Sequence, residues 1–253
     1  MQIWGKVFGG LLGFFFGRFA GMILGVWLGH VLVDKRRTPQ VTPRQNLFFH
    51  TTFAVMGHVA KASGQVTQAD IALANAVMDQ LRLSGEARRQ AQEAFREGKA
   101  SDYPLEERLK QLKLVMAFRR DLARMFLEIQ IQVALSDGDI DANERRILSQ
   151  VAKQLGFTAQ ELEQMLSMRQ GEHSFHRSGH QGPSLADAYQ LLGVSEGDDD
   201  RAIKRAYRKL MAQHHPDKLA SQGLPEEMMS LAQQKSQDIQ AAWEAIRRER
   251  NIR

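Results

Sequence analysis

The chain has 253 residues, which is enough for one large domain or for two small domains with additional segments. Its formal net charge is +5 and its sequence pI is about 9.6, so nucleic acid, anionic lipid and acidic proteins all remain possible partners. The sequence contains no cysteine, which excludes disulfides, thiol catalysis and zinc sites built from cysteine.

The first segment with a clear physical signature is 7–33, whose only ionisable residues are Arg18 and His30. As a helix it would measure about 40 Å, more than the hydrocarbon core of about 30 Å. Trp4 and Trp27 fall near its ends, where indole rings favour the membrane interface. A secretory signal peptide would have a shorter apolar region and a small-residue cleavage site. Neither is evident, so we predict a transmembrane helix over 7–33.

The charges around this segment predict its orientation. One lysine precedes it, whereas a basic cluster follows it, consisting of Lys35, Arg36, Arg37 and Arg44. By the positive-inside rule, 1–6 form a short non-cytoplasmic N-terminus and the C-terminal bulk is cytoplasmic. We interpret 34–44, which contain two prolines, as a juxtamembrane linker.

Glycine recurs at every fourth position along the predicted transmembrane helix. The positions are Gly5, Gly9, Gly13, Gly17, Gly21, Gly25 and Gly29. Glycine lowers helix stability, so seven in register require a packing reason. Steps of four follow one ridge of a helix, and a ridge without side chains admits a second backbone. We therefore predict a homodimer whose contact surface is formed by Gly9, Gly13, Gly17, Gly21 and Gly25. Two roles stay open for Arg18, namely snorkelling to the interface and a carbonyl contact within the dimer.

Residues 45–169 are predicted to form a helical middle domain, because no strand pattern of period two is present and Pro104 is the only internal proline. This domain contains an internal repeat, since a shift of 74 residues aligns two copies of one pattern. The aligned pairs include Gly64 with Gly138, Val66 with Ile140, Leu81 with Leu155, Leu83 with Phe157, and Ser84 with Thr158. Each copy is predicted to be a helix, a glycine turn, a capped helix, a second cap and another helix.

The acidic turn that begins at Asp137 raises the possibility of a metal site. An EF-hand loop needs glycine at its sixth position and glutamate at its twelfth, and these positions hold alanine and leucine here. Helix capping explains the pattern better, with Asp141 as the N-cap and Glu144 closing a capping box. Thr67 and Asp70 would do the same in the other copy. We therefore predict no metal site in this turn.

Residues 170–183 are rich in glycine, serine and histidine. His173, His176 and His180 have spacings that a metal could use, so metal binding stays open as an alternative. Because no other feature orders these histidines, we predict a flexible linker over 170–183. Such a linker would let the C-terminal domain swing relative to the middle domain.

The region 184–253 contains the most specific pattern of the chain. Apolar residues recur at steps of three and four on one helical face, namely Ile203, Tyr207, Leu210 and Met211. Basic residues occupy the remaining surface of this helix, namely Arg201, Lys204, Arg205, Arg208 and Lys209. Pro216 disfavours the α conformation for the residue before it, so the helix should end at about His214. We then expect a rigid loop that presents His215 and Asp217.

This arrangement resembles the J-domain of DnaJ-type co-chaperones, over 184–253. The first helix of the resemblance begins at Leu185 and ends at Gly193, and the third runs over 226–250. The predicted core residues of these two helices are Tyr189, Leu191, Leu192, Ile239, Ala242, Trp243 and Ile246. Trp243 stands where that family usually has tyrosine. A helical hairpin with an ordinary basic face is the simpler alternative.

The resemblance implies that the basic helix docks on a DnaK-type chaperone and that the loop biases this partner towards ATP hydrolysis. The residues that match the docking face and signal loop of the family are Arg201, Lys204, Tyr207, Arg208, Lys209, His215, Pro216 and Asp217. No glycine- and phenylalanine-rich segment follows the J-domain pattern, so we do not expect independent client binding.

The acidic turn and the repeat of the middle domain resemble the TerB-like helical domain of tellurite-resistance proteins. With the anchor and the J-domain pattern, the whole chain resembles the membrane-anchored DnaJ-like co-chaperones of the bacterial inner membrane. We expect an all-α protein that is not an enzyme, because the sequence shows no nucleophile motif, no phosphate-binding loop and no suitable pair of carboxylates. We also predict no cofactor.

Two other classes of function are alternatives to a co-chaperone. A nucleic-acid-binding protein would need base-reading residues or aromatic platforms beside the basic helix, so we expect no nucleic-acid partner. A membrane-bound sensor of ions, metals or envelope stress would use the middle domain as its main functional part. The sequence identifies neither the client nor the ligand of the middle domain.

Overall fold

The computed structural model describes residues 42–62, 64, 66, 68–135, 140–177 and 184–252. The predicted transmembrane helix, its glycine contact surface and Arg18 lie outside the described residues. Among the residues that are described, no helix is both long and apolar enough to cross a membrane. The regular elements of this part are all helices, which confirms the predicted all-α class.

Seven helices of the described ranges belong to the middle domain. They are α1 (Pro43–Lys61), α2 (Gln68–Gln80), α3 (Gly85–Gly98), α4 (Leu105–Val115), α5 (Arg120–Ala134), α6 (Ala142–Leu155) and α7 (Ala159–Arg177). The C-terminal region adds α8 (Leu185–Leu192), α9 (Asp200–His214), α10 (Pro216–Gln222), a 3₁₀ turn (Glu226–Met228) and α11 (Met229–Glu249). Residues 43–253 form one compact unit, so the middle domain and the C-terminal helices pack together.

Helix α1 lies at the centre of the middle domain and contacts α3, α4, α5 and α6. Phe48 and Phe53 are fully buried, and the ring of Phe48 packs edge-on against Phe126 of α5 at a centroid distance of 5.7 Å. Glycine allows α1 and α3 to pass in backbone contact. A Cβ atom on Gly98 would lie 1.7 Å from the carbonyl oxygen of Ala54, so no larger residue fits there.

The start of α6 confirms the predicted capping box. The Asp141 carboxylate accepts hydrogen bonds from the N–H groups of Asn143 at 2.6 Å and Glu144 at 2.9 Å. The Glu144 carboxylate in turn accepts from the N–H of Asp141 at 3.1 Å. The acidic turn therefore serves the helix terminus as expected. Thr67 and the side chain of Asp70, its counterparts in the other copy, lie outside the described part.

The C-terminal helices form the hairpin expected of a J-domain. Helix α8 ends at Gly193, whose φ of +66° is the left-handed conformation that favours glycine. Ile203 and Leu210 of α9 are buried, and Tyr207 stacks on Trp243 of α11 at a centroid distance of 5.0 Å. All the predicted core residues of α8 and α11 are buried, namely Tyr189, Leu191, Leu192, Ile239, Ala242, Trp243 and Ile246.

The structure differs from the predicted flexible linker over 170–183. Residues 170–177 are not a linker but the last two turns of α7, which packs along α8. Gly171 permits this contact, because a Cβ atom there would lie 2.8 Å from the side chain of Gln190. Phe175 is buried in the core of the C-terminal hairpin. Tertiary packing therefore orders residues 170–177, although their polar composition is typical of a linker.

Of the three histidine side chains in this segment, the structure describes that of His173. His173 is half-buried on the helix. The side chain of His176 and all of His180 lie outside the described residues. Within the described residues, no group of three or more potential ligands could hold a metal ion.

Candidate functional site

The junction of α9 and α10 presents the tripeptide that the sequence singled out. Helix α9 ends at His214, as the proline predicted, and His215 alone has extended dihedral angles, with φ −61° and ψ 124°. Pro216 is the first residue of α10, where its missing N–H costs nothing. The non-helical junction is therefore one residue long and shorter than the loop we expected. His215 and Asp217 are exposed.

One hydrogen bond orders the His215 ring. The backbone N–H of Asp217 donates to Nδ1 of His215 at 3.3 Å, so that the imidazole caps the start of α10. With Nδ1 acting as acceptor, a neutral ring carries its proton on Nε2. The imidazole and the Asp217 carboxylate thus lie two residues apart at the ordered start of α10.

Helix α9 presents the predicted basic surface. Arg201, Arg208 and Lys209 are exposed, while Lys204 and Tyr207 are half-buried. These five residues and the tripeptide are called the docking surface below. Tyr207 is fixed by its stacking on the indole of α11, and the apolar face of α9 packs inwards. The helix therefore displays its charges on a rigid support.

Arg250 joins three segments of the C-terminal hairpin and was not predicted from the sequence. Its Nε donates to the Tyr189 hydroxyl at 2.6 Å, and Nη1 donates to the carbonyl oxygen of Asp198 at 2.8 Å. Nη1 also lies 3.1 Å from the Asp200 carboxylate, and Nη2 donates to the carbonyl of Glu196. The guanidinium thus links the end of α11 to α8 and to the start of the basic helix α9.

His214, next to the exposed His215, is buried between the two domains with 1% of its surface exposed. Its Nδ1 lies 2.9 Å from the carbonyl oxygen of Leu210, and its Nε2 lies 2.8 Å from Oε2 of Glu128 on α5. The two ring nitrogens thus have one hydrogen-bond partner in each domain. The end of the basic helix is therefore attached to the middle domain.

The contact with His214 changes the pKa of the Glu128 carboxyl group. Burial raises the pKa of Glu128, but the charge of His214 and its hydrogen bond, together with Lys235 and Arg124, have the opposite effect and prevail. The pKa is lowered from its usual value of 4.5 to about 2. The carboxylate is therefore ionised at neutral pH and accepts a hydrogen bond from His214 across the domain contact.

Two further charged clusters join the domains. Glu172 of α7 is buried and accepts from Arg169 at 2.6 Å and from Lys235 of α11. Burial raises the pKa of Glu172, but the charges of Lys235 and Arg169 outweigh this and lower it. Asp121 of α5 accepts a hydrogen bond from Lys218 of α10 at 2.6 Å. Lys218 is the residue directly after Asp217.

Apolar side chains complete the contact. Five apolar residues that follow the tripeptide in the sequence are part of the core of the middle domain, namely Leu219, Leu224, Met228, Leu231 and Ala232. A cavity of about 330 Å³ remains at the contact, lined in part by Met125, Met168, Glu128 and Lys235. The middle domain thus supports α10 and the start of α11, while the docking surface stays exposed or half-buried.

Three family models match successive parts of the chain. The description "Co-chaperone DjlA transmembrane domain" matches residues 1–45, and "Tellurite resistance protein TerB" matches residues 50–167. The description "DnaJ domain" matches residues 187–253. Together these matches cover the anchor segment, the helical middle domain and the C-terminal hairpin.

Relatives are similar to the chain over its full length. The co-chaperone protein DjlA of Shewanella oneidensis is 53% identical, and the alignment covers 100% of both chains. The proteins of the same name from Aliivibrio fischeri and Photobacterium profundum are 47% and 46% identical, over 100% and 99% of this chain and 100% of each relative. No solved structure matches the chain.

Proposed function

The chain belongs to the DjlA family of membrane-anchored J-domain co-chaperones, and from this we propose that it docks on a DnaK-type chaperone and stimulates its ATPase at a membrane. The observation that carries the proposal is the exposed tripeptide His215-Pro216-Asp217 at the end of a basic helix, on a J-domain hairpin. The chain regulates the catalytic activity of its partner and is not itself the catalyst.

The docking surface suits an acidic partner. Arg201, Arg208 and Lys209 supply exposed positive charge, which accelerates encounter with a negatively charged surface and fixes its register. Tyr207 adds an aromatic ring that is already immobilised, so little side-chain entropy is lost on binding. Lys204 lies between these groups on the same helix.

The junction would deliver the signal to the partner. His215 is ordered by its bond to the N–H of Asp217, and Pro216 fixes the direction in which α10 leaves. Because these side chains occupy one rigid turn, they can engage the partner with a defined geometry. The burial of His214 against Glu128 places this turn relative to the middle domain as well.

The topology belongs to the same proposal. The family match over 1–45 supports a membrane anchor, and the basic residues after 33 favour a cytoplasmic C-terminal part. We propose a single-pass protein of the bacterial inner membrane with its N-terminus outside. The glycines at steps of four favour a homodimer formed by the anchor, which would bring two J-domains to one site. No nucleic-acid partner is part of this proposal.

An assay of ATP hydrolysis tests the proposed function. Fragment 43–253, which forms a compact unit, is added in increasing amounts to a DnaK-type chaperone, and the rate of phosphate release is measured. We expect a saturable acceleration, since the docking surface is present in full. A rate that stays at the basal level over the whole range of fragment concentrations would contradict the proposal.

A further inference from the structure

The end of α4 and the turn between α4 and α5 each present one large apolar side chain to solvent. Leu114 is 78% exposed and Phe118 is fully exposed. Among the described residues, Ile71 is the only other large apolar side chain in the exposed class, at 37%. A fully exposed aromatic ring is the feature that needs an explanation, because such rings are typically buried in cores or interfaces.

The backbone at Phe118 makes its exposure more notable. Its φ is +65°, a left-handed conformation that bulky side chains rarely adopt and that glycine or asparagine occupies readily. The turn is well fixed, since the N–H of Arg119 donates to the carbonyl of Met116 at 2.8 Å and Met116 is buried. An aromatic ring that does not pack in the core therefore occupies a strained backbone position. Such positions are concentrated at functional sites.

Basic residues predominate in the sequence around this turn. No acidic residue occurs over 108–120, whereas Lys110, Lys113 and Arg120 are exposed and Arg119 is half-buried. The apolar pair thus lies among mostly basic residues, of which Arg120 is paired with Glu161 at 2.7 Å. A matching partner would offer an apolar patch bordered by acidic groups.

The turn lies beside the junction that carries the signal tripeptide. Asp121, in the first turn of α5, is bound to Lys218 at 2.6 Å and to Gln222 at 3.2 Å. Lys218 follows Asp217 directly, and Asp121 lies three residues after Phe118. The two ends of this ion pair therefore connect the exposed apolar turn to the docking surface without an intervening element.

We propose that Leu114 and Phe118 form a second contact with the same chaperone that binds the docking surface, so that the middle domain contributes to partner recognition. This inference rests on the proposed function. The partner would cover the apolar pair with a patch next to the acidic surface that meets α9. The continuity through Asp121 and Lys218 favours this occupant over a lipid surface, because a chaperone seated on the tripeptide would adjoin the turn.

Phe118→Asn is the main test, in full-length protein reconstituted in nanodiscs of zwitterionic lipid. Asparagine tolerates the left-handed conformation, so the variant keeps the turn while losing the ring. We expect the concentration of protein needed for half-maximal stimulation of the chaperone ATPase to rise about five- to tenfold, with the maximal rate unchanged. The thermal midpoint of the variant should equal or exceed that of the parent.

Two variants with the same substitution chemistry complete the design. Leu114→Gln should raise the half-maximal concentration about two- to fourfold, because it removes the smaller apolar contact. Ile71→Gln, at an exposed position of α2, is the matched control and should behave as the parent. If Phe118→Asn lowers the thermal midpoint, the half-maximal concentration of Leu114→Gln is compared with that of Ile71→Gln instead. A higher value for Leu114→Gln would then support the second contact.

Several results would overturn the proposal. If both turn variants keep the half-maximal concentration of the parent, the turn is not a chaperone contact, while the parent's acceleration still upholds the proposed function. If they weaken stimulation only in nanodiscs containing anionic lipid, the turn binds the membrane instead. If the parent itself fails to accelerate ATP hydrolysis in either lipid, the proposed function fails and the second contact with it.

Discussion

The imidazole Nε2 of His214 lies 2.8 Å from the Glu128 carboxylate, which attaches the last residue of α9 to α5 of the middle domain. The next residue is His215, the first member of the signal tripeptide. Because His214 is buried and held at both ring nitrogens, the position of the tripeptide is set by two domains together. A freely swinging J-domain would not have this constraint.

The first prediction concerns the pH dependence of this contact. The pKa of Glu128 is lowered from 4.5 to about 2, so its interaction stabilises the folded state fully above pH 4.5 and is lost as the pH falls towards 2. Glu128→Gln should lower the free energy of unfolding of fragment 43–253 at pH 7 by about 2 kcal/mol. The variant should also lose less stability in acid than the parent.

Urea unfolding between about pH 7 and pH 3 measures this difference. Glu163→Gln is the matched control, because Glu163 forms an exposed ion pair with Arg145 within the middle domain. It should change the free energy of unfolding by no more than about 1 kcal/mol. Parallel pH profiles for the parent and Glu128→Gln would contradict the assigned role of the carboxylate.

The sequence predicted local features of the site correctly where one residue type determines the backbone. Pro216 placed the end of α9 at His214, and Gly193 placed the end of α8. Asp141 and Glu144 likewise identified their capping box. In each case the physical cause lies within four residues of its effect, so the pattern can be read along the chain.

Contacts between distant residues could not be predicted in this way. His214 and His215 are adjacent histidines, and their fates differ because Glu128, 86 residues earlier, lies against one of them. The linker prediction was incorrect at 170–177 for the same reason. Gly171 resembles a flexible position in the sequence, yet in the fold it allows α7 to approach α8 closely.

The second prediction concerns electrostatic docking. Reversing Lys204 and Arg208 to glutamate should slow association with the chaperone about tenfold at low salt, because both residues lie on the basic docking surface. The association rate of the parent should fall as salt rises, since exposed charges are screened over about 8 Å at physiological ionic strength. Stopped-flow association at several salt concentrations measures both effects.

The control for this experiment reverses the same number of charges elsewhere. Arg146 and Lys153 are exposed on α6 of the middle domain, away from the basic helix in the sequence. Arg146→Glu with Lys153→Glu should change the association rate by no more than about twofold. Salt-independent association of the parent would indicate an apolar interface and count against the docking surface.

A third prediction concerns the anchor. Apolar side chains gain little from meeting in lipid, so we expect association of the predicted anchor helix to depend on close backbone packing along its glycines. Gly17→Leu should reduce pairing strongly, because leucine fills the groove near the middle of the span, while insertion survives in a more apolar segment. A membrane reporter of helix association measures pairing for the segment alone and for the full-length protein.

Leu12→Ile is the control for the anchor, as it exchanges one large apolar residue for another off the glycine ridge. It should associate as the parent does. Association of Gly17→Leu at the parental level would show that the ridge is not the contact surface and that the helix acts only as a tether.

The central claim is that the tripeptide stimulates the chaperone, and single-turnover ATP hydrolysis by the chaperone tests it most directly. His215→Gln should abolish stimulation even at saturating concentration, because amide geometry cannot reproduce the ordered imidazole. The variant should remain folded with only a small decrease of the thermal midpoint, because His215 is exposed and contributes a single capping hydrogen bond. His50→Gln, which removes a half-exposed imidazole paired with Glu97, should stimulate as the parent does. Full stimulation by folded His215→Gln protein would contradict the account.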